Sequence, residues 1–478
     1  MVVRTRFAPS PTGYMHIGNL RTALYAYLFA RKNMGKFVLR IEDTDLERYV
    51  DGAVDIIYRT LKEAGMNYDE GPVIGGVNPP YIQSERKEIY LQYAHKLVEL
   101  GGAYYCFCTK ERLDALRQEL GDANKYDKHC LRLPPAEAKK RIADGEPYVI
   151  RQNIPLTGVS SYTDLVYGDI SVDCKDLEDN VLIKSDGMPT YNFANVVDDH
   201  LMEITHVIRG IEYLSSTPKY NLIYRSFGWQ EPQYMHLPPI MRDAQHKLSK
   251  RDGDASYEDF CARGYLKDAI INYIALLGWS PKDNREKFSL KELEELFSVE
   301  GLTRSASIFD ENKLRWLNAQ YVRELSDTEY LAAAAPWFDK AGLKGKYDYA
   351  VLARLLKGRT EVFCDIPALT GFLDVFDGYD LELFVNQKQK TDKEFAKKVL
   401  PEILAVAQKC EFTSAALFEE YKALSERLGL KPAALLWVMR IAITGSLVTP
   451  GGATEIAELL GKQKTSERLA ISLERLNA

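Results

Sequence analysis

The chain has 478 residues, 46% of them hydrophobic and 27% charged, with a formal net charge of −6 at pH 7. That length exceeds one ordinary core and predicts about three domains, while the absence of any long apolar run or leader pattern excludes an integral membrane protein and points to the cytoplasm. Seven cysteines without framework spacing exclude a disulfide-stapled secreted fold, and the acidic balance leaves any nucleic-acid contact to a local basic face.

Residues 1 to 100 alternate strand and helix patterns. Met1-Val2-Val3 reads as the start of a strand, and Leu20 to Phe29 as a helix with apolar residues at 20, 24, 27 and 28. Phe37 to Ile41 follows as a buried strand, then helices around 51–64 and 84–100. This is βαβ grammar, hence a parallel sheet. From 101 to 187 the texture shortens, with a helix at 135–144 and strands at Tyr148 to Arg151 and Val181 to Lys184. That stretch reads as an insertion. The α/β pattern resumes with a helix across 190–201, a strand at Ile204 to Ile208 and a helix at 216–227. Beyond about 260 the periodicity is helical, as in Ala269 to Leu277 and Leu435 to Ile443. The expected fold class is therefore α/β, a doubly wound parallel sheet split by an α+β insertion and followed by an all-α C-terminal half.

Between the first strand and helix lies "RFAPSPTGYMHIGN", Arg6 to Asn19. Pro9 and Pro11 stiffen the crossing, because proline locks φ and biases the residue before it towards an extended backbone. Gly13 and Gly18 lack a Cβ, and a helix start approached by glycine offers free amides and the positive dipole end to an anion. Phosphate is the suggested ligand. Much later comes "HKLSKRDG", in which Lys247 and Lys250 stand three apart on one short loop beside Gly253. Two ammonium groups so placed suit a polyphosphate. Either stretch alone reads equally as a solvated loop or a proline-rich turn. Their combination around a split α/β domain is far more specific.

Together with "RIEDTD", "YDEGP" and "PTYNFANVVDDHLMEITHVIRGIEYL", these two stretches resemble the HIGH and KMSKS signatures of class I aminoacyl-tRNA synthetases, specifically the bacterial glutamyl branch. The signatures here carry Asn19 in the fourth position of the first and KLSKR in the second. The resemblance implies a Rossmann-like catalytic domain in two halves, 1–100 and 188–240, around an acceptor-end insertion at 101–187. The KMSKS loop and stem-contact segment would follow at 241–322, and an anticodon-binding region at 323–478. It also implies ligation of L-glutamate to the 3′ end of tRNA(Glu) through glutamyl-adenylate, with ATP and Mg²⁺ and with tRNA(Gln) as a further substrate of some relatives. By the same resemblance the enzyme acts as a monomer.

Such a reaction asks for positioning and charge stabilisation rather than a protein nucleophile. His16 and Gly18 at the helix start, with Lys247 and Lys250, are the expected catalytic groups, and Thr12 and Glu212 complete the nucleotide site. A side-chain carboxylate is best held by an arginine's planar fork, a role the resemblance gives to Arg6, with Arg209 close by. Glu42 would take the α-ammonium and Ser10 would add a hydroxyl. Tyr191 and Asn195, four apart on one helix, share a face and are expected to line the same pocket. Arg354, Lys357 and Arg359 cluster in "LARLLKGRTEVF", and the resemblance sets Arg359 near an arginine that reads the last anticodon base.

Cys106, Cys108 and Cys130 have part of a zinc spacing. Relatives with zinc add a histidine two residues after the third cysteine, where this chain has Arg132. The trio is accordingly read as the remnant of a zinc site ahead of an occupied one. Three other functions compete. A shortened paralogue that glutamylates a modified base would lack the helical half, and a glutaminyl enzyme would end in a β-barrel. A non-catalytic tRNA-binding module would have no use for both phosphate loops.

Overall fold

In the computed structural model, residues 2–44, 50–120, 125–248, 256–374, 376 and 378–478 are described. The chain divides into two compact units, Met1–Cys261 with Lys267–Glu311, and Ala262–Leu266 with Asn312–Ala478.

In the first unit β1 (Arg4–Phe7) runs into α1 (Ile17–Lys32) and β2 (Lys36–Leu39). Helices α2 (Ala53–Glu63) and α3 (Lys87–Glu99) follow, then β3 (Ala103–Cys106), α4 (Lys110–Leu120), α5 (Pro135–Ala143) and β4 (Val149–Gln152). The hairpin β5 (Val159–Asp164) and β6 (Gly168–Asp173) precedes β7 (Val181–Ile183), α6 (Tyr191–Leu201) and β8 (His206–Gly210). Then come α7 (Thr217–Phe227) and β9 (Gln233–Leu237), followed by the short pair β10 (Ile240–Met241) and β11 (Ser307–Ile308).

The main sheet has the order β2-β1-β8-β9-β5-β6. All its pairings are parallel except the terminal β5–β6 hairpin. Strand order reverses between β1 and β8, and clefts at such switch points lie at the carboxyl ends of the strands. Two expected boundaries change. The 101–187 segment is not one separate insert, because only β3, β4 and β7 form its own antiparallel sheet. The β5–β6 hairpin instead extends the main sheet through Asp164 opposite Tyr234. Its strict alternation buries Ser160, Tyr162 and Asp164 while the residues between them stay exposed. The expected 241–322 segment is also divided, since residues from Asn312 onward, with Ala262–Leu266, belong to the second unit.

The second unit is helical, with helices at Asp327–Lys340, Tyr349–Leu356, Lys393–Lys409, Ser414–Arg427, Pro432–Thr444 and Ala453–Asn477. Its core is aliphatic and aromatic, built around Leu356, Leu400, Ile403, Leu435, Val438, Ile441 and Leu469. Among the described residues no helix is long and apolar enough to cross a membrane.

Candidate active site

The loop after β1 makes the first wall of a cavity. The Pro9 carbonyl accepts the Glu42 N–H at 3.0 Å and the Pro11 carbonyl the Val50 N–H at 3.0 Å. Gly13 has φ +113°, a conformation that side chains rarely tolerate. His16 is the N-cap of α1, and its Nδ1 accepts the Gly18 N–H at 3.1 Å. With Nδ1 used as acceptor, the neutral ring carries its proton on Nε2. Imidazole donor and helix-start amides therefore share one place. A Cβ on Gly18 would lie 3.3 Å from that Nδ1, so the glycine also leaves room for the cap.

The second wall comes from β8, the turn after it, and the end of β9. Arg6, Ser10, Thr12, His16, Gly18, Glu42, Tyr191, Arg209, Glu212 and Lys247 all line one cavity of about 500 Å³. Lys247 bridges Met241, and Ser256, where the described chain resumes, bridges His16. Lys247 thus lines the cavity, and Ser256 pairs with a residue that does. Lys250 itself falls outside the described residues. Asn195 departs from expectation: it is buried and absent from the cavity lining, because its side-chain amide turns back to the Tyr191 carbonyl one turn earlier.

Charge divides the cavity's surroundings. Arg6 Nε meets Asp199 at 3.1 Å and its Nη1 donates to the Ile208 carbonyl at 3.3 Å. Asp199 also takes Arg40 Nη1 at 2.8 Å, and Arg40 reaches Glu42 at 3.0 Å and Asp198 at 3.6 Å. Asp198 in turn binds Arg86 at 2.7 Å and accepts from Gln83 and Tyr90 at 2.8 Å each. Three arginines and three carboxylates balance, all inside the protein. Burial pushes Glu42 above the usual carboxylate range, opposed by Arg40 and Arg6. Asp199 falls below that range, as Arg6 and Arg40 outweigh its burial. Arg6, to which the resemblance gives the substrate's side-chain carboxylate, is thus already engaged by Asp199.

Arg209 differs. It is buried, yet among the described residues no carboxylate pairs with it. Its Nε donates to His236 Nε2 at 3.2 Å and its Nη2 to the Thr217 hydroxyl at 2.6 Å. The rings of Tyr213, Tyr220 and Tyr234 lie 5.1, 5.1 and 5.5 Å from the guanidinium carbon. Sequence reasoning passed over Arg40, Arg86, Asp198, Asp199, Asp164 and His236. For the two aspartates a signal existed: adjacent acids inside the apolar run of α6.

In the insert, the sulfurs of Cys106, Cys108 and Cys130 lie within 4.8 Å of one another. The Tyr126 hydroxyl is 3.3 Å from Cys106 Sγ and 3.2 Å from Cys108 Sγ. Arg151 donates to Cys106 at 3.3 Å and Arg112 to Cys108 at 3.5 Å. His129 sits in the same turn as Cys130, but its side chain is not in the cluster.

In the helical unit the three expected cations separate. Arg354 pairs with Glu458 at 3.6 Å and Lys357 with Asp327 at 2.9 Å. Arg359 stays exposed without a carboxylate among the described residues. Arg440, lowered by burial and by the like charge of Arg359, and Trp437 each keep a buried N–H with no hydrogen-bond partner among the described residues.

A family model described as the catalytic domain of class I tRNA synthetases for E and Q matches residues 2–316, and an anticodon-binding domain model matches 315–473. A Clostridium botulinum protein described as a glutamate–tRNA ligase is 53% identical over 480 residues, covering 100% of this chain and 99% of its own. A Clostridium acetobutylicum protein of the same description is 51% identical over 99% of each chain. The crystal structure of a glutamate tRNA ligase from Elizabethkingia meningosepticum with its amino acid superposes with a TM-score of 0.90 at 34% identity, over 100% of both chains.

Proposed function

Because the chain belongs to the glutamate–tRNA ligases among the class I aminoacyl-tRNA synthetases, we propose that glutamate and ATP meet in the 500 Å³ cavity, with Arg209 receiving the substrate's side-chain carboxylate. The observation carrying this reading is the imbalance of charge: Arg6, Arg40 and Arg86 are neutralised by Glu42, Asp198 and Asp199, while Arg209 has no acid partner among the described residues. A buried cation without a counter-charge favours an incoming anion. Arg6 supports the same side of the pocket through Asp199, Glu42 takes the α-ammonium, and Tyr191 and Ser10 bound the amino acid.

The α-carboxylate oxygen then attacks the α-phosphorus of ATP, supplied as its Mg²⁺ salt, and pyrophosphate leaves. The terminal ribose hydroxyl of tRNA next attacks the acyl carbon and AMP leaves. His16 Nε2–H and the amides at the start of α1 donate to phosphate oxygens as their charge develops. Lys247 approaches the leaving phosphates from the opposite rim, and Lys250 has the same assignment. Gly18 lets the nucleotide lie against backbone, with Thr12 and Glu212 beside it. In the helical unit, the exposed Arg359, which no carboxylate pairs among the described residues, is the donor offered to an anticodon base. One chain supplies every group assigned to the pocket, in keeping with a monomer.

For the cysteines the donor set fits zinc, as three thiol sulfurs lie within 4.8 Å of one another and the Tyr126 hydroxyl beside two of them offers a fourth donor atom. The ion would tie β3 to the turn at His129–Arg132 and take no part in the chemistry. One zinc per chain, lost in Cys106→Ser, would support this site, and a metal-free protein of equal stability would restore the remnant reading.

Charging tRNA(Glu) and tRNA(Gln) transcripts with labelled glutamate and glutamine tests the substrate assignment. Glutamate should be attached to tRNA(Glu) in an ATP-dependent reaction and glutamine to neither; charging by glutamine would refute the role of Arg209.

A further inference from the structure

Behind Arg209, on the side away from the cavity, buried polar groups connect three strands and a helix. Asp164 ends β5, His236 lies on β9 and Thr217 opens α7. Asp164 Oδ1 accepts the backbone N–H groups of Val166 and Tyr167, each at 2.9 Å. Its Oδ2 accepts the His236 backbone N–H at 3.1 Å and His236 Nδ1 at 2.7 Å. Four donors converge on one carboxylate and fix its position.

Both Asp164 oxygens serve as acceptors, so the imidazole proton shared with Oδ2 sits on Nδ1, and Nε2 of the neutral ring is an acceptor. Nε2 faces Arg209 Nε at 3.2 Å, a group that can only donate. Burial keeps the His236 ring neutral, with the Asp164 bond acting in the other direction. Thr217 completes the cradle: its oxygen accepts from Arg209 Nη2 and its own hydroxyl donates to the Tyr213 carbonyl at 2.8 Å. Every partner of the guanidinium in this cradle is uncharged. A carboxylate at position 236 would bind the same nitrogen and cancel the charge, whereas a neutral imidazole locked by an acid one ring away orients the group and leaves its charge available.

We propose that Asp164 and His236 are positioning residues that aim Arg209 at the substrate's side-chain carboxylate and thereby set the preference for glutamate over glutamine. This rests on the assignment of Arg209 as the carboxylate receiver. The geometry also explains why the β5–β6 hairpin belongs to the main sheet, because it delivers Asp164 to His236 through the pairing with β9.

The test compares His236→Ala, His236→Gln, His236→Asp and Asp164→Asn with Arg209→Gln in full-length enzyme, measuring KM for glutamate and ATP and the glutamate-to-glutamine ratio of kcat/KM in tRNA charging. Losing a hydrogen bond to a charged group is worth about tenfold, so His236→Ala should raise glutamate KM by about that factor with ATP KM unchanged. The same variant should narrow the selectivity ratio. His236→Gln, which restores a neutral acceptor, should recover part of the loss, and His236→Asp should lose the most selectivity despite keeping an acceptor. Asp164→Asn should follow His236→Ala in direction. Should the alanine variant not fold, the glutamine and aspartate variants decide between orientation and charge. Equal glutamate KM and selectivity across the His236 series, with only melting temperature altered, would overturn the proposal while Arg209→Gln still collapses selectivity. An Arg209→Gln enzyme with intact selectivity would instead overturn the underlying assignment.

Discussion

The two walls of the cavity handle buried arginine in opposite ways. At Arg6 on β1, and behind it at Arg40 and Arg86, three arginines meet three carboxylates, Glu42, Asp198 and Asp199. Along β8 and β9, Arg209 is met by imidazole, hydroxyl and aromatic faces. A matched set gives a rigid floor whose electrostatic gain is offset by desolvation. An unmatched cation is a cost in the empty protein and an attraction once an anion arrives. The first wall should therefore answer to measurements of stability, and the second to measurements of substrate use.

Asp199→Ala breaks this comparison most severely on the first wall. It strips a partner from both Arg6 and Arg40, and an unpaired buried charge costs about 3–5 kcal/mol. Chemical denaturation should reveal a loss of that size; an unchanged midpoint would mean that the arginines find other acceptors. On the second wall Arg209→Gln should preserve the melting temperature but reduce kcat/KM for glutamate by about 3 kcal/mol of transition-state stabilisation, on the order of a hundredfold. A loss of folding stability with normal kinetics would reverse the assignment of the two walls.

A smaller effect sharpens the boundary between them. Glu42 is held above the usual carboxylate range by burial, so acidification protonates it before the side chain of free glutamate, which titrates near about 4.3. Protonated Glu42 cannot pair with an ammonium. Glutamate KM should thus rise as pH falls, beginning above that value, and Glu42→Gln should flatten the profile at a high KM. A wild-type profile that turns only with the substrate's own carboxyl would remove Glu42 from amino-acid binding.

How far the sequence makes this legible depends on distance along the chain. The βαβ alternation and the helical half follow from periodicity, and the residues of the first loop, from Arg6 to Gly18, lie close enough together to be read as one site. Partners far apart leave no local trace. Asp199 stands 193 residues from Arg6, so the sequence around Arg6 carries no sign of its partner. Asp164 and His236 are 72 apart, and the hairpin carrying Asp164 falls inside the stretch of short elements that reads as the insert. Asn195 shares a helical face with Tyr191 as the spacing requires, yet a short amide beside its own backbone found the nearest carbonyl. Arg354 and Lys357 looked equivalent to Arg359 until acids from distant helices were seen to pair with them.

The most direct test of the account is the structure of this enzyme crystallised with glutamate. The account predicts the side-chain carboxylate within hydrogen-bonding reach of Arg209, the α-ammonium at Glu42, and the Arg6–Asp199 pair intact. A side-chain carboxylate bound to Arg6 with Asp199 displaced, and Arg209 left without an anion, would contradict it.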